Sequence, residues 1–133
     1  MLLADLVAVS QAVSSTRSRS KKIELLAETL RQVTPEEAAV AVSFLTGKPR
    51  QSRLGAGWAT VYGVETSPAT EPGLEILEVD TVLETLAATS GSGSKQTRET
   101  LLTNLLARAT SAEQDFLRGL ILRNLRQGAL EGV

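Results

Sequence analysis

The stretch that decides the fold is Leu25–Glu37, which reads LLAETLRQVTPEE and returns as LLTNLLARATSAE at residues 101–113. The offset between the two copies is 76 residues, and no gap is needed to align them. The agreement extends outward to Arg50-Gln51, which matches Arg126-Gln127. Two copies of one unit indicate a domain made of two structural repeats. We therefore expect equivalent loops to lie on one side of the molecule.

Apolar residues recur at helical spacing in both copies, and alternating patterns typical of strands are rare. We predict an all-α fold, a compact helical bundle of two pseudo-two-fold-related helical repeats. Repeat one covers about 1–57, a connector about 64–75, and repeat two about 77–133 of a single domain. The side chains predicted to face inward are Leu3, Leu6 and Val7 in the first helix, Ile23, Leu26, Ala27, Leu30 and Val33 in the second, and Phe116, Leu117, Leu120, Ile121 and Leu125 in the last.

Local signals predict where the helices begin and end. Thr34-Pro35-Glu36-Glu37 and Thr110-Ser111-Ala112-Glu113 both have the pattern of a capping box, in which threonine and glutamate satisfy each other's backbone amides. Gly47 can end the third helix in the left-handed conformation. We further expect Ser18 or Ser20 to cap the second helix, a short helical segment over Trp58–Gly63, and a loop with a helix cap at Ser90–Ser94.

Composition excludes several classes of protein. The 133 residues suffice for one domain with a sizeable aliphatic core. The absence of cysteine excludes disulfides and is consistent with a reducing cytoplasm. The absence of histidine removes the commonest general base and metal ligand. No apolar run approaches membrane length, and the apolar start lacks the basic leader of a signal peptide.

The positive charge is concentrated although the net charge is only −1. Nine of the 14 basic residues fall in three short segments, and no Lys or Arg lies between Arg53 and Lys95. A polarised molecule can bind an anion through its basic face whatever its total charge. The candidate DNA-binding residues are Arg17, Ser18, Arg19, Ser20, Lys21, Lys22, Lys48, Arg50, Arg53, Gly91, Ser92, Gly93, Ser94, Lys95 and Arg98.

The two serine-rich loops, 14–22 and 90–98, are equivalent under the offset and carry Lys or Arg into a helix start. Helix N-termini normally favour acids, because the free N–H groups and the helix dipole are positive there. Cations at that position make sense if a phosphate binds there too. The alternative is a solvated loop with charges for solubility, which we would favour for a single loop. Two loops in equivalent positions favour phosphate binding.

Three further features leave alternatives open. The segment Lys48–Gly57 is either a third basic contact or an ordinary turn between helices. Trp58 could stack on a base, but a lone tryptophan beside a glycine turn is more often part of the core, which we expect here. Arg126–Ala129 could contact phosphate, or Arg126 could simply favour a helix C-terminus.

No pattern in the chain supports catalysis. The serines lack a histidine partner and a Gly-x-Ser-x-Gly elbow. Calcium-loop, phosphate-loop and zinc-finger spacings are also absent from the sequence. We therefore expect no catalytic residue and no metal site in this chain.

Five short motifs together resemble the N-terminal DNA-binding domain of ATP-dependent DNA ligases, especially the bacterial, actinobacterial type. They are Phe44–Lys48, Leu54–Trp58, Gly91–Ser94, Ala109–Glu113 and Leu125–Ala129. The order and spacing of the motifs make the set more specific than any one of them, and the resemblance spans nearly the whole chain. That family's domain is all-helical with internal pseudo-symmetry, so the resemblance implies the same fold as the repeat.

The resemblance also implies a function. It implies a non-catalytic module that grips duplex DNA across the minor groove near a nick, without sequence preference. The matching contacts would be the loops Arg17–Lys22 and Gly91–Lys95, supported by Lys48–Arg53. Such a protein would be cytoplasmic and associated with the bacterial nucleoid. The alternative is a helical adaptor domain that binds another protein through an apolar groove.

Ligases also carry an adenylation domain and an OB-fold domain, which this chain lacks. The nucleophilic Lys-x-Asp-Gly motif is absent from the sequence. The resemblance therefore implies that ATP and magnesium belong to the rest of the parent enzyme, and that this chain holds no cofactor. Its partners would be double-stranded DNA, most plausibly nicked, and the adenylation domain of the same polypeptide.

Overall fold

The computed structural model describes residues 1–125, and within them the chain forms seven helices and no strand longer than an isolated bridge. The all-helical fold predicted from the apolar spacing is thereby confirmed. The helices are α1 Leu3–Ser14, α2 Arg19–Gln32, α3 Pro35–Leu45, α4 Trp58–Gly63, α5 Ile76–Ala88, α6 Ser94–Ala107 and α7 Ser111–Ile121.

Helix bounds repeat with the sequence. The offset of 76 residues carries the bounds of α3 onto those of α7, and α2 onto α6 within one residue. Both predicted capping boxes are present, because Thr34 and Thr110 accept from the amides of Glu37 and Glu113, whose carboxylates accept in return. Local sequence therefore fixes the start of the last helix in each repeat.

The two repeats exchange contacts. Helix α1 packs against α7, and its equivalent α5 packs against α3, so the first helix of each repeat lies on the last helix of the other. The segments before α1 and α5 pair in an antiparallel bridge at Leu2 and Glu75. The amide of Leu3 donates to Leu74 O at 2.8 Å and that of Ile76 to Met1 O at 3.0 Å.

An ion cluster closes the same junction. The Met1 ammonium pairs with Glu37 and, at 3.0 Å, with Glu75. The hydrogen bond from this ammonium, together with the Thr34 amide, holds the pKa of the Glu37 carboxyl below its usual value. Elsewhere Arg108 donates to Glu78 at 2.9 Å and is the main cause of a lowered pKa for that carboxyl.

The core is aliphatic, as the composition predicts. It lies where the pair α1 and α7 meets the pair α3 and α5. Its largest fully buried side chains include Leu3, Leu6, Phe44, Leu45, Leu74, Ile76, Leu83, Leu86, Leu102, Leu106, Leu117 and Leu120. Across residues 1–125, every helix falls short of the length and apolarity that a membrane crossing requires.

Two predictions about the core were wrong. Ile23 and Leu30 were expected to face inward but are 46% and 41% exposed. The buried residues of α2 are instead Lys22 and Thr29, because α1 packs on that side of the helix. Leu125 was expected in the last helix, but α7 ends at Ile121 and Arg123 then adopts a positive φ of 56°.

Candidate nucleic-acid interface

The first basic loop, residues 14–22 and here called loop one, joins α1 to α2. The Oγ of Ser18 caps α2 by accepting from the amide of Lys21 at 3.2 Å. This settles the choice between the two serines in favour of Ser18. Arg17, Arg19 and Lys21 are all exposed, and α2 has no acid in its first turn. Loop one therefore presents cations around a positive helix end.

Lys22 differs from its neighbours in loop one. Only 8% of its surface is exposed, whereas the Lys21 side chain is 60% exposed and lies 3.7 Å from Glu24. A side chain buried to this extent offers little surface to a phosphate. We therefore regard Lys22 as a residue that shapes the loop.

The second basic loop, residues 90–98 and here called loop two, joins α5 to α6. It turns through Gly91 and Gly93, whose φ values are 87° and 79°. Gly93 is the residue before the helix and has no side chain to accept from the first amides of α6. The helix cap expected within Ser90–Ser94 is therefore Gly93, and Ser94 is already the first helical residue. Lys95 is exposed in a first turn that again lacks an acid.

Arg98 braces loop two from within. Its Nη2 donates to Thr89 O at 2.6 Å and its Nη1 to Ser94 Oγ at 3.2 Å. The chain at Gly55 passes so close that a Cβ there would lie 2.8 Å from Arg98 Nε. Because Gly55 also has a φ of 71°, only glycine suits this approach. Arg98 thus positions the loop, and it corresponds to Lys22 under the offset.

The third basic segment, Lys48–Arg53, lies along α5. Arg50 Nη1 donates to Asp80 at 2.9 Å, and the buried Gln51 donates to both Asp80 and Glu84. The acids that face Arg50 neutralise part of its charge. Lys48 and Arg53 are exposed.

Neighbouring parts of the chain approach the three segments. Loop two comes close to the chain just after the third segment, where Arg98 meets Gly55. The Nη2 of Arg123 donates to the carbonyls of Gln51 and Ser52, at 2.6 and 3.0 Å. Two residues later, Leu125 lines a groove between α1 and α7 together with Ser14 and Ser15 of loop one. Arg126–Ala129, the remaining candidate, lies outside the described residues.

Comparison with known proteins identifies the family. A family profile described as the DNA ligase N terminus matches residues 59–133, which is more than half of the chain. The chain belongs to this DNA ligase N-terminal family. The resemblance inferred from the five motifs is therefore confirmed.

Relatives of the ligase domain cover it from end to end. A probable DNA ligase of Nocardia farcinica is 48% identical over 98% of this chain. Those of Pseudarthrobacter chlorophenolicus and an Anaeromyxobacter strain are 45% and 49% identical over all of it. The chain spans only about a quarter of the length of these curated relatives. No solved structure matches it significantly.

The predicted burial of one aromatic residue in the ligase domain was wrong. Trp58, expected in the core, is 60% exposed and stacks on Tyr62 with ring centroids 5.1 Å apart. The Arg118 guanidinium lies 5.8 Å from the Tyr62 ring centre. The inward residue of this six-residue helix is Val61, so the larger rings face outward. The spacing of Trp58 and Tyr62, four residues apart, was the available signal.

Metal binding finds no support in the described part of the chain. Within residues 1–125, no three acidic side chains gather as a metal site would need. The acids near the basic segments, Asp80 and Glu84, are occupied with Arg50 and Gln51.

Proposed function

We propose that this ligase domain holds duplex DNA by its phosphate backbone, with no preference for base sequence. The observation that carries the proposal is the placement of Lys and Arg, without acids, at the starts of α2 and α6. A phosphate at either start would meet backbone amides, serine hydroxyls and cations together. For a domain of the ligase family, the polyanion to be bound is the backbone of DNA.

Each of the two loops would contact one strand of the duplex. One loop from each repeat would hold phosphates on either side of the minor groove near a nick. Exposed Arg17, Arg19 and Lys21 would supply charge in loop one, and Lys95 with the glycine-turn amides would do so in loop two. Contacts of this kind fix the position of the protein but carry no base identity. Nick recognition would come largely from the rest of the enzyme.

The ligation reaction itself would lie outside this chain. Its 133 residues contain no Lys-x-Asp-Gly motif to form a lysine adenylate. ATP and magnesium would therefore be held by an adenylation domain of the same polypeptide, with an OB-fold domain completing the enzyme around DNA in the nucleoid. The domain described here would contribute affinity and position rather than a catalytic residue.

The test is a salt titration of binding to a nicked and an intact duplex of the same sequence. We expect the logarithm of the affinity to fall steeply with the logarithm of salt, with a slope of about 0.9 per phosphate contacted. Footprints on the two duplexes would locate the contacts. Arg31→Gln offers a matched control, because Arg31 is exposed and pairs with Glu28 near the far end of α2. This control should leave the slope unchanged.

One observation favours the adaptor alternative. Ile23, Leu30 and Val42 are large apolar side chains that are each more than 40% exposed. An adaptor would bind its partner through such a surface, and its binding would respond little to salt. Duplex affinity that stays flat across the titration would therefore refute backbone binding.

A further inference from the structure

Equivalent faces of the two repeats are covered to different extents. Leu30 and Leu106 occupy the same position under the offset, yet Leu30 is 41% exposed and Leu106 only 1%. Val42, at 46% exposed, corresponds to the half-buried Arg118. We name the uncovered side of α2 and α3 the open face. It comprises Ile23, Leu30 and Val42.

In repeat two, α4 and the start of the connector provide the cover. Helix α4 packs against both α6 and α7. The Nε2 of Gln114 donates to Thr66 O at 3.3 Å and to Leu106 O at 2.8 Å, joining the connector to the end of α6. The amide of Ala69 donates to Ala109 O at 2.8 Å.

The connector is also held at its beginning. Arg118 Nη2 donates to Val64 O at 3.0 Å, and the same guanidinium faces the ring of Tyr62. Val61, which belongs to α4, is fully buried. Residues 58–69 thus form one covering segment, a short helix followed by extended chain, laid across α6 and α7.

The offset predicts where the missing cover is encoded. Residues 58–69 directly follow repeat one, and under the same offset their equivalents after repeat two would be residues 134–145. The relatives have this additional chain, because the present domain accounts for about a quarter of their length. The matching family profile describes a ligase N terminus, so their additional chain follows it.

We propose that the open face binds the stretch of ligase polypeptide that continues from residue 133, as a short helix and extended segment equivalent to α4 and the connector. That helix packs against α2 and α3, as α4 with its buried Val61 packs against α6 and α7 in repeat two. The proposal depends on membership in the ligase family and on the repeat. It does not depend on whether the domain binds DNA.

Charge around the open face fits a protein segment better than a polyanion. The groove along α2 is bordered by side chains of both signs, Lys21 and Arg31 with Glu24 and Glu28. Arg31 already pairs with Glu28 at 2.9 Å. DNA laid there would meet two carboxylates beside the two cations, and these carboxylates would repel its phosphates.

A cysteine probe tests the proposal directly. The chain has no cysteine, so Leu30→Cys introduces one thiol at the centre of the open face. Its rate of reaction with a maleimide is measured in the 133-residue chain and in the full-length ligase, at the tryptic peptide 23–31. We expect at least tenfold slower labelling in the full-length protein. Thr103→Cys, at an exposed position on α6, should react alike in both.

Three results would overturn the proposal. Equal labelling of Cys at position 30 in the two proteins would show that no further part of the polypeptide covers it. Protection that grows with the concentration of the short chain would mean that a second copy is the occupant. Protection that requires added duplex would mean that DNA is the occupant.

A second variant guards against loss of the full-length fold. Val42→Asp should leave the Tm of the 133-residue chain within about a degree, because its side chain meets water there. In the full-length ligase the same change should lower the Tm of the unfolding transition that contains this domain, since it buries a charge. Equal Tm shifts in the two proteins would contradict the proposal.

Discussion

Loop one and loop two occupy equivalent positions in the two repeats but start their helices differently. In loop one, Ser18 caps α2 and three cations stay exposed around it. In loop two, Gly93 precedes α6, and the equivalent serine, Ser94, is turned toward Arg98. The same repeated pattern therefore leaves mainly exposed charge at one helix start and, at the other, mainly backbone amides without a side-chain cap.

The second difference between the loops is their internal brace. Arg98 donates to Thr89 O and Ser94 Oγ, so it holds the residues on either side of the turn 90–93. Its equivalent Lys22 is buried at 8% exposure but lacks a forked guanidinium. Loop two, with three exposed glycine or serine residues from Gly91 to Gly93, depends more on such a brace.

The largest expected effect is on DNA binding. Replacing Arg17, Arg19 and Lys21 together by glutamine should reduce the salt slope of duplex binding by the equivalent of about three phosphate contacts. Lys95→Gln should reduce this slope by the equivalent of about one contact. The loss should be the same for all duplex sequences. Anisotropy titrations over a range of salt measure it. If the two variants reduce the salt slope equally, or if the base preference changes, the proposed division of phosphate contacts between loop one and loop two is wrong.

The next effect concerns the brace of loop two. Arg98→Ala should lower the free energy of unfolding by about 2 kcal/mol, because partly buried acceptors at Thr89 and Ser94 lose their donor. Arg98→Lys keeps the charge and should recover only part of it. Chemical denaturation gives both values. A variant as stable as the parent would show that the loop does not need its brace.

A smaller effect is expected at the start of α6. Gly93→Ala places a Cβ at a φ of 79° and should cost about 1 to 2 kcal/mol. Gly93→Asn, which tolerates this conformation better, should cost less. Thermal unfolding of the pair measures the difference. Equal stability of the alanine and asparagine variants would argue that the loop relaxes to a negative φ.

The smallest expected difference between repeats lies at the threonine caps. Thr34→Ala and Thr110→Ala should each cost about 1 kcal/mol of stability, because both lose the same hydrogen bond to a helix amide. Affinity for DNA per folded molecule should not change. Melting curves paired with binding titrations test both statements, and a change in affinity from either variant would connect the caps to the interface.

Local signals were predictable because they need only a few neighbouring residues. The capping boxes at Thr34 and Thr110 and the end of α3 at Gly47, with a φ of 78°, were all read correctly from the sequence. By contrast, the period of the apolar residues predicts an apolar stripe along a helix but does not predict which part of the stripe another helix covers. Ile23 and Leu30 were therefore assigned to the core, although α1 covers the side of Lys22 and Thr29.

The candidate site was predicted in part for the same reason. Arg17, Arg19, Lys21 and Lys95 are exposed at helix starts, as charge and spacing indicated. The half-buried Arg98 is approached by Gly55, which is remote in sequence and comes close only in the folded chain. The outward orientation of Trp58 depends on Val61 taking the inward position of α4.

The helical class, the repeat and the starts of α3 and α7 follow from the sequence, because they depend on periodicity and on hydrogen bonds within one turn. The tertiary structure alone decided that α1 lies on α7 and α5 on α3. It also decided which basic residues brace the loops and which reach solvent. Burial is a property of contacts between distant segments, so no local pattern of residues can specify it.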